Sequence, residues 1–131
     1  MREAVIVSGA RTPIGRFGGA FKDVSASELG SMVIKAALVQ ANLRPDQVEE
    51  VVIGNALQAA ESGYAGRLAS LGAGIPDEVP TISINRQCSS GLEAINNAAL
   101  MVKTGEVDIA VAGGIENMSQ SPYLVDYKAR F

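Results

Sequence analysis

The residue with the clearest chemical potential in this sequence is its single cysteine, Cys88. An apolar run ends at Ile84 and a longer apolar segment begins at Leu92, so the pattern predicts that Cys88 lies between a strand and a helix. Unpaired N–H groups and the positive dipole end at a helix start favour the thiolate over the thiol. The same N–H groups can stabilise an oxyanion on an attacked carbonyl. Position alone therefore leaves two hypotheses, a nucleophilic cysteine or a small buried hydrophobic residue.

The composition limits which other functions the chain can have. It has 131 residues and a net charge of −3, from 11 Lys and Arg against 14 Asp and Glu, so no basic surface for a nucleic-acid partner is expected. Histidine, the commonest general base, does not occur. One cysteine allows no internal disulfide and gives no sign of an oxidising compartment. No targeting signal or membrane-length apolar run is present, and we predict a cytoplasmic protein without membrane contact.

Apolar patterning predicts the elements that hold Cys88 in place. Four apolar runs are typical of strands and cover residues 4–7, 51–53, 81–84 and 107–112. Helical spacing predicts helices over residues 27–41, 64–73 and 89–104. Ser25 and Glu28 form a capping-box signature before the first helix, and Gly105 ends the third. The alternation predicts an α/β domain with a largely parallel sheet and helices on both faces.

The predicted topology also indicates where a site would form. Ligands of parallel sheets bind beyond the carboxyl ends of the strands. We therefore expect four segments to converge at one edge, namely residues 9–10, 54–55, 85–88 and 113–117. The third helix carries almost no polar face, so we expect it to be buried all round. Gly113 and Gly114 end the last strand, where paired glycines usually permit close approach of another backbone.

Four segments of the chain, in order, resemble segments of the thiolase family. The nucleophile segment of that family is similar to residues 84–95, INRQCSSGLEAI. Its opening strand and loop resemble residues 5–15, VIVSGARTPIG, and its second strand resembles residues 52–59, VIGNALQA. Its Gly-Gly-x-Glu-x-Met-Ser segment resembles residues 111–119, VAGGIENMS. The likeness spans essentially the whole chain.

The resemblance implies an acyl-CoA C-acyltransferase, most similar to an acetyl-CoA C-acetyltransferase. In such an enzyme Cys88 would attack an acyl-CoA thioester and hold the acyl group, and its N–H would contribute to an oxyanion hole. A carbanion from a second acyl-CoA would then attack the acyl-enzyme and form a carbon–carbon bond, and thiolysis is the reverse. Coenzyme A thioesters are the substrates, and neither a metal nor another cofactor is implied.

The resemblance also implies that further parts are needed for turnover. Family members have two similar halves, and the second supplies a His, an Asn and a second Cys. We expect residues 1–121 to form an N-terminal domain without its final strand, and residues 122–131 to begin the following loop region. We further expect a complementary C-terminal half, no turnover by this chain alone, and a homo-oligomer paired through the strand at 81–84.

Structural roles are expected for three other residues in these motifs, and two arginines have two possible roles each. Glu116 and Asn117 are expected to fix the loop behind the nucleophile, and Met118 to pack. Arg11 and Arg86 can either meet coenzyme A phosphates or serve as structural hydrogen-bond donors.

Two alternatives to a thiolase remain open. One is another condensing enzyme of the same fold, such as a ketoacyl-carrier-protein synthase or a hydroxymethylglutaryl-CoA synthase. The other is a non-catalytic thiolase-like assembly subunit, which the missing histidine favours and the retained Cys88 disfavours.

Overall fold

A three-stranded parallel sheet forms the framework of the computed structural model, which describes residues 2–130 except the side chains of Glu61 and Ser62. The strands are β1 (Glu50–Gly54), β2 (Thr81–Ile84) and β3 (Ala110–Gly114), in the order β2-β1-β3. Both neighbours pair with β1 in parallel. The α/β class and the parallel sheet predicted from the sequence are therefore confirmed.

Three α-helices cover the two faces of this sheet. They are α1 (Ala26–Gln40), α2 (Ala65–Gly72) and α3 (Ser90–Thr104). The first two pack on the face that carries Val51 and Ile53, and α3 packs on the opposite face around Val52. Short 3-10 helices occupy Pro45–Gln47, Ala60–Tyr64, Met118–Gln120 and Tyr127–Arg130. Within residues 2–130, every helix is too short or too polar to cross a membrane.

The local signals that predicted the helix ends are found as expected. Ser25 caps α1, since its side chain accepts the N–H of Glu28 while the Glu28 carboxylate accepts the N–H of Ser25. Gly105 ends α3 in the left-handed conformation at φ 80°, which glycine adopts without strain. The last strand was predicted to start at residue 107 but starts at Ala110. Before it, the N–H of Asp108 donates to the Glu49 carboxylate at 2.8 Å and so is not part of the sheet ladder.

The prediction of a buried strand at residues 4–7 is wrong for the described chain. Val5, Ile6 and Val7 are 70%, 83% and 69% exposed and belong to no strand. A strand needs a neighbour for its N–H and C=O groups, and no described strand lies beside this segment. The apolar run shows that these residues can be buried, but it contains no information on what would pair with them.

The prediction that the third helix is buried all round is also wrong. Its buried residues are Ser90, Ala94 and Ala98, which form one face against the sheet. Leu92 and Leu100, on the remaining surface, are 64% and 56% exposed. A single helix on an open sheet contacts it along one stripe only, so the described residues leave part of the apolar surface of α3 uncovered.

The segment predicted to begin a loop region, residues 122–131, is described as far as residue 130. It has no strand and ends in the 3-10 helix Tyr127–Arg130. Tyr123 and Leu124 are 99% and 83% exposed, so they pack on nothing in the described chain. Residue 131 lies outside the described residues, and the division at 121 stays a prediction.

Candidate functional site

Cys88 lies at the carboxyl edge of the sheet, in the turn between β2 and α3, and its thiol is exposed. It lines an open cleft of about 620 Å³. The start of α3 contributes Gly91, and the ends of β1 and β3 with the loops after them contribute Gly54, Leu57, Gly114, Glu116 and Met118. Three of the four predicted strand-end segments therefore converge here. The fourth, residues 9–10, does not line the cleft.

Three glycines let the start of α3 sit directly on the sheet. A Cβ atom on Gly54 would lie 2.3 Å from the carbonyl carbon of Ser90 and 2.4 Å from the nitrogen of Gly91. One on Gly114 would lie 3.1 Å from the Cα atom of Gly91. The expectation of close backbone approach is thus confirmed for Gly114 and wrong for Gly113, whose Cβ would meet nothing within 4 Å. Side chains at the close positions would push the Cys88 turn away from β1.

The residue before Cys88 adopts a conformation that side chains disfavour. Gln87 has φ 53°, in the left-handed region that costs roughly 1–2 kcal/mol for a residue with a Cβ. Its N–H donates to Asn85 Oδ1 at 3.1 Å, and its carbonyl accepts the Ser90 hydroxyl at 2.6 Å and the Ser90 N–H at 3.1 Å. At about 1 kcal/mol each, these hydrogen bonds offset the strain.

The backbone N–H groups around the thiol are not all used by the turn. Ser89 N–H donates to the Arg86 carbonyl at 3.2 Å, and Arg86 N–H donates to the Ser90 hydroxyl at 2.7 Å. The N–H of Cys88 donates to no acceptor among residues 2–130. An N–H without a partner beside an exposed thiol is the arrangement required to stabilise an oxyanion on an attacked carbonyl.

Glu116 holds the loop that follows β1. Its carboxylate accepts Asn55 Nδ2 at 2.9 Å, Ala56 N–H at 2.9 Å and Leu57 N–H at 3.2 Å. Three donors hold the carboxylate in place as a structural acceptor. The expected structural role of Glu116 agrees with these contacts, but the loop that it fixes is the one after β1, which forms a wall of the cleft.

Asn117 has a different structural role from the predicted one. Its Nδ2 donates to the carbonyls of Phe21 and Val24 at 2.8 and 2.6 Å. Asn117 therefore fixes the segment that leads into α1, and the prediction that it fixes the loop behind the nucleophile is wrong. The side chain next to Glu116 in sequence faces a different partner because successive residues of extended chain point in opposite directions.

The two arginines of the sequence motifs differ in their surroundings. The Arg86 guanidinium pairs with Glu93 in the first turn of α3. This contact supports the structural alternative for Arg86. Arg11 is exposed, and contact with coenzyme A stays a prediction for it. Met118, expected to pack, is 57% exposed and lines the cleft, so packing inside the described chain does not account for it.

Asn85 is part of the turn and had no role predicted from the sequence. Its Nδ2 donates to the Ala56 carbonyl at 3.0 Å while its Oδ1 accepts from Gln87. An Asn that follows a strand and bonds the backbone two residues on is a recognised turn device, so half of this role had a sequence signal. The bond to Ala56 had none, because it depends on the pairing of β1 with β2.

The chain matches known proteins over nearly all of its length. Residues 4–131 match the profile of the family described as "Thiolase, N-terminal domain". A probable acetyl-CoA acyltransferase of Staphylococcus aureus strain NCTC 8325 / PS 47 is 47% identical over 126 residues, which are 96% of this chain and 32% of that protein. The protein of the same name from strain bovine RF122 / ET3-1 has the same identity and coverage.

A solved structure shares the fold as well. The crystal structure of the Bacillus anthracis acetyl-CoA acetyltransferase is similar to this chain with a TM-score of 0.89 and 43% identity, over 93% of this chain and 31% of that one. The chain thus spans about a third of the length of the curated relatives it matches. Because the family profile covers nearly every residue, this chain belongs to the thiolase family and corresponds to its N-terminal domain.

Proposed function

We propose that this chain is the N-terminal part of an acyl-CoA C-acyltransferase in which Cys88 accepts the acyl group. The observation that carries the proposal is the exposed thiol of Cys88 in an open cleft, beside an N–H with no partner among residues 2–130. Small residues, Ser90 and Gly91, follow it at the start of α3, so a thioester carbonyl can approach the sulfur. Family membership supports the same assignment.

The first step is transfer of the acyl group to sulfur. The Cys88 thiolate attacks the carbonyl carbon of an acyl-CoA, and the new sulfur–carbon bond forms as the carbonyl becomes an oxyanion. The Cys88 N–H donates to that oxyanion. The thioester bond to coenzyme A then breaks, coenzyme A leaves as its thiolate and takes up a proton, and Cys88 carries the acyl group as a new thioester.

The second step forms or breaks a carbon–carbon bond. A carbanion at the α-carbon of a second acyl-CoA attacks the acyl-enzyme carbonyl, which releases Cys88 and yields a 3-ketoacyl-CoA. The reverse direction is thiolysis. Proton removal at the α-carbon needs a base, and this chain has no His and no cysteine besides Cys88. We therefore propose that a complementary C-terminal half supplies these groups, and that residues 1–131 alone do not turn over.

Acetyl is the acyl group that we propose first. The Staphylococcus aureus relatives are named for acetyl-CoA acyltransferase activity, and the Bacillus anthracis structure for acetyl-CoA acetyltransferase activity. The proposed reaction needs no metal or additional cofactor, because the thioester itself acidifies its α-carbon. A cytoplasmic location remains part of the proposal.

Mass spectrometry of the intact native protein tests the proposal. We expect that incubation with acetyl-CoA adds one acetyl group to this chain and that Cys88→Ala abolishes the addition. Ser89→Ala, at the exposed neighbouring position, is the matched control and should still gain the acetyl group. The same spectrum identifies any second polypeptide.

A chain that stays unmodified in the presence of acetyl-CoA and of every polypeptide that accompanies it would contradict the proposal. That result would instead favour the non-catalytic assembly subunit. Acetyl transfer from acyl carrier protein in preference to acetyl-CoA would favour another condensing enzyme of the same fold.

A further inference from the structure

The side chain of Asn85 connects the Cys88 turn to the opposite wall of the cleft. Its Nδ2 donates to the carbonyl of Ala56 at 3.0 Å, and its Oδ1 accepts the N–H of Gln87 at 3.1 Å. The N–H of Ala56 in turn donates to Glu116 Oε2 at 2.9 Å. Hydrogen bonds therefore run without a gap from Glu116 to the residue before Cys88.

Both functional groups of the Asn85 amide are required in this arrangement. A carbonyl faces its nitrogen and an N–H faces its oxygen, so aspartate would lose the donor and a hydrocarbon would lose both. Asn85 is not among the residues that line the cleft, whereas Ala56 and Gln87 are. Its hydrogen bonds to these two neighbours therefore connect Asn85 to the cleft.

The strained residue explains why the turn needs this support. Gln87 holds φ 53° with a side chain attached, and its peptide groups are bonded on both sides, to Asn85 and to Ser90. Without the hydrogen bond to Asn85, only the hydrogen bonds to Ser90 would hold Gln87 in its left-handed conformation. Relaxation there would rotate the next residue, Cys88, and move both its sulfur and its N–H.

We propose that Asn85 is a positioning residue, which holds Gln87 in the left-handed conformation and so aligns the sulfur and N–H of Cys88 with a thioester carbonyl. The proposal rests on the proposed acyl transfer. Glu116 supports it from behind by fixing the Ala56 peptide. A misplacement of about 1 Å at a reacting atom is enough to lower a rate severalfold to a hundredfold.

The test uses Asn85→Ala, Gln87→Gly and the double variant of the native protein. Two rates are measured at Cys88, acetyl transfer from acetyl-CoA in a single turnover and alkylation by iodoacetamide. Acetyl transfer needs the sulfur and N–H aligned, whereas alkylation of an exposed thiol does not. We expect Asn85→Ala to slow acetyl transfer about tenfold or more and to leave alkylation within about twofold.

Rescue distinguishes positioning from a general loss of structure. Glycine adopts positive φ without strain, so adding Gln87→Gly to Asn85→Ala should restore part of the acetyl-transfer rate. Asn96→Ala, at an exposed position of α3, is the matched control and should change neither rate. A parallel fall of both rates in Asn85→Ala, or no recovery in the double variant, would overturn the inference.

Thermal unfolding keeps the inference separate from the proposed function. If the unmodified protein takes no acetyl group, the proposed function fails. The holding role of Asn85 is then decided by its coupling to Gln87 in a double-mutant cycle. We expect Asn85→Ala to lower the midpoint temperature less in the Gln87→Gly background, and equal shifts in both backgrounds would overturn the inference.

Discussion

Gly54 and Ser90 are in direct backbone contact where β1 ends and α3 begins. A Cβ atom on Gly54 would lie 2.3 Å from the carbonyl carbon and 2.4 Å from the carbonyl oxygen of Ser90. Because Ser90 follows the Cys88 turn, this contact fixes how closely the turn approaches the sheet. The position of the thiol in the cleft therefore depends on having glycine, which lacks a side chain, at position 54 of the neighbouring strand.

Gly54→Ala should displace α3 and destabilise the protein. Backbone atoms, which cannot rotate away, would meet the new methyl group, and we expect a loss of about 3 kcal/mol in the free energy of unfolding. Denaturant titration measures this. Gly113→Ala is the control, since its Cβ would meet nothing within 4 Å and its cost should stay within about 0.5 kcal/mol. Equal stability of the two variants would contradict the packing argument.

Valine and glycine at position 87 should have opposite consequences. Gln87 has positive φ, which a β-branched residue adopts only with large strain, so Gln87→Val should cost about 1–2 kcal/mol in stability. Gln87→Gly removes the strain but adds backbone entropy to the unfolded chain, and the two effects of about 1 kcal/mol nearly cancel. Thermal unfolding of both variants measures the difference. Similar midpoints for valine and glycine would show that the left-handed conformation is not maintained in solution.

The buried carboxyl group of Glu50 should make stability depend on pH. Glu50 is 6% exposed, and burial, opposed by a backbone hydrogen bond at Val51 and reinforced by the charge of Glu106, raises its pKa above 4.5. The folded state therefore binds the proton more tightly than the unfolded state. The stability gained from this tighter proton binding at Glu50 is complete below pH 4.5 and is lost as the pH rises through the folded-state pKa.

Glu50→Gln tests this dependence, because the amide cannot ionise. We expect the variant and the unmodified protein to have similar stability below pH 4.5 and the variant to gain relative stability as the pH rises to 7. Denaturant unfolding at a series of pH values measures the gap, with Glu78→Gln at an exposed position as the control. A variant that is less stable than the unmodified protein at pH 7 would contradict this prediction.

The elements of the fold that could be predicted from the sequence are those with local causes. Residues 81–84 form a strand with the predicted bounds, and Ser25 and Gly105 mark helix ends because their signals act within one turn. Residues 4–7 lack such a local cause. Their apolar pattern equals that of a strand, yet pairing requires a partner that the pattern does not identify.

The candidate site could be located but not assembled from the sequence. Position between a strand and a helix, together with the family resemblance, indicated Cys88. The contact of Gly54 with Ser90 and the bond from Asn85 to Ala56 depend on the register of β1 against β2, in which Gly54 lies opposite Ile84. Such relationships are non-local, and no spacing within one segment encodes them.

The outer side of β2 is the predicted site of pairing between two copies of the chain. In the sheet of the described residues, β2 is an edge strand. The carbonyl of Pro80 accepts the N–H of Val51 in β1, and the carbonyl of Ile84 accepts the N–H of Asn55 just after β1. Every second residue of this segment, including Ile82, therefore points its N–H and C=O toward β1. Ser83 lies between them and points its N–H and C=O away from β1, where a second copy can bond them.

Ser83→Pro should therefore disrupt association without breaking the sheet. Proline removes one outward N–H, and the bonds to β1 remain. We expect light scattering of the native protein to give about half the mass of the unmodified assembly, with the far-ultraviolet spectrum of the folded chain retained. Ile82→Pro is the matched control, since it removes an inward N–H and should unfold the protein. An unchanged mass for Ser83→Pro would exclude pairing through β2.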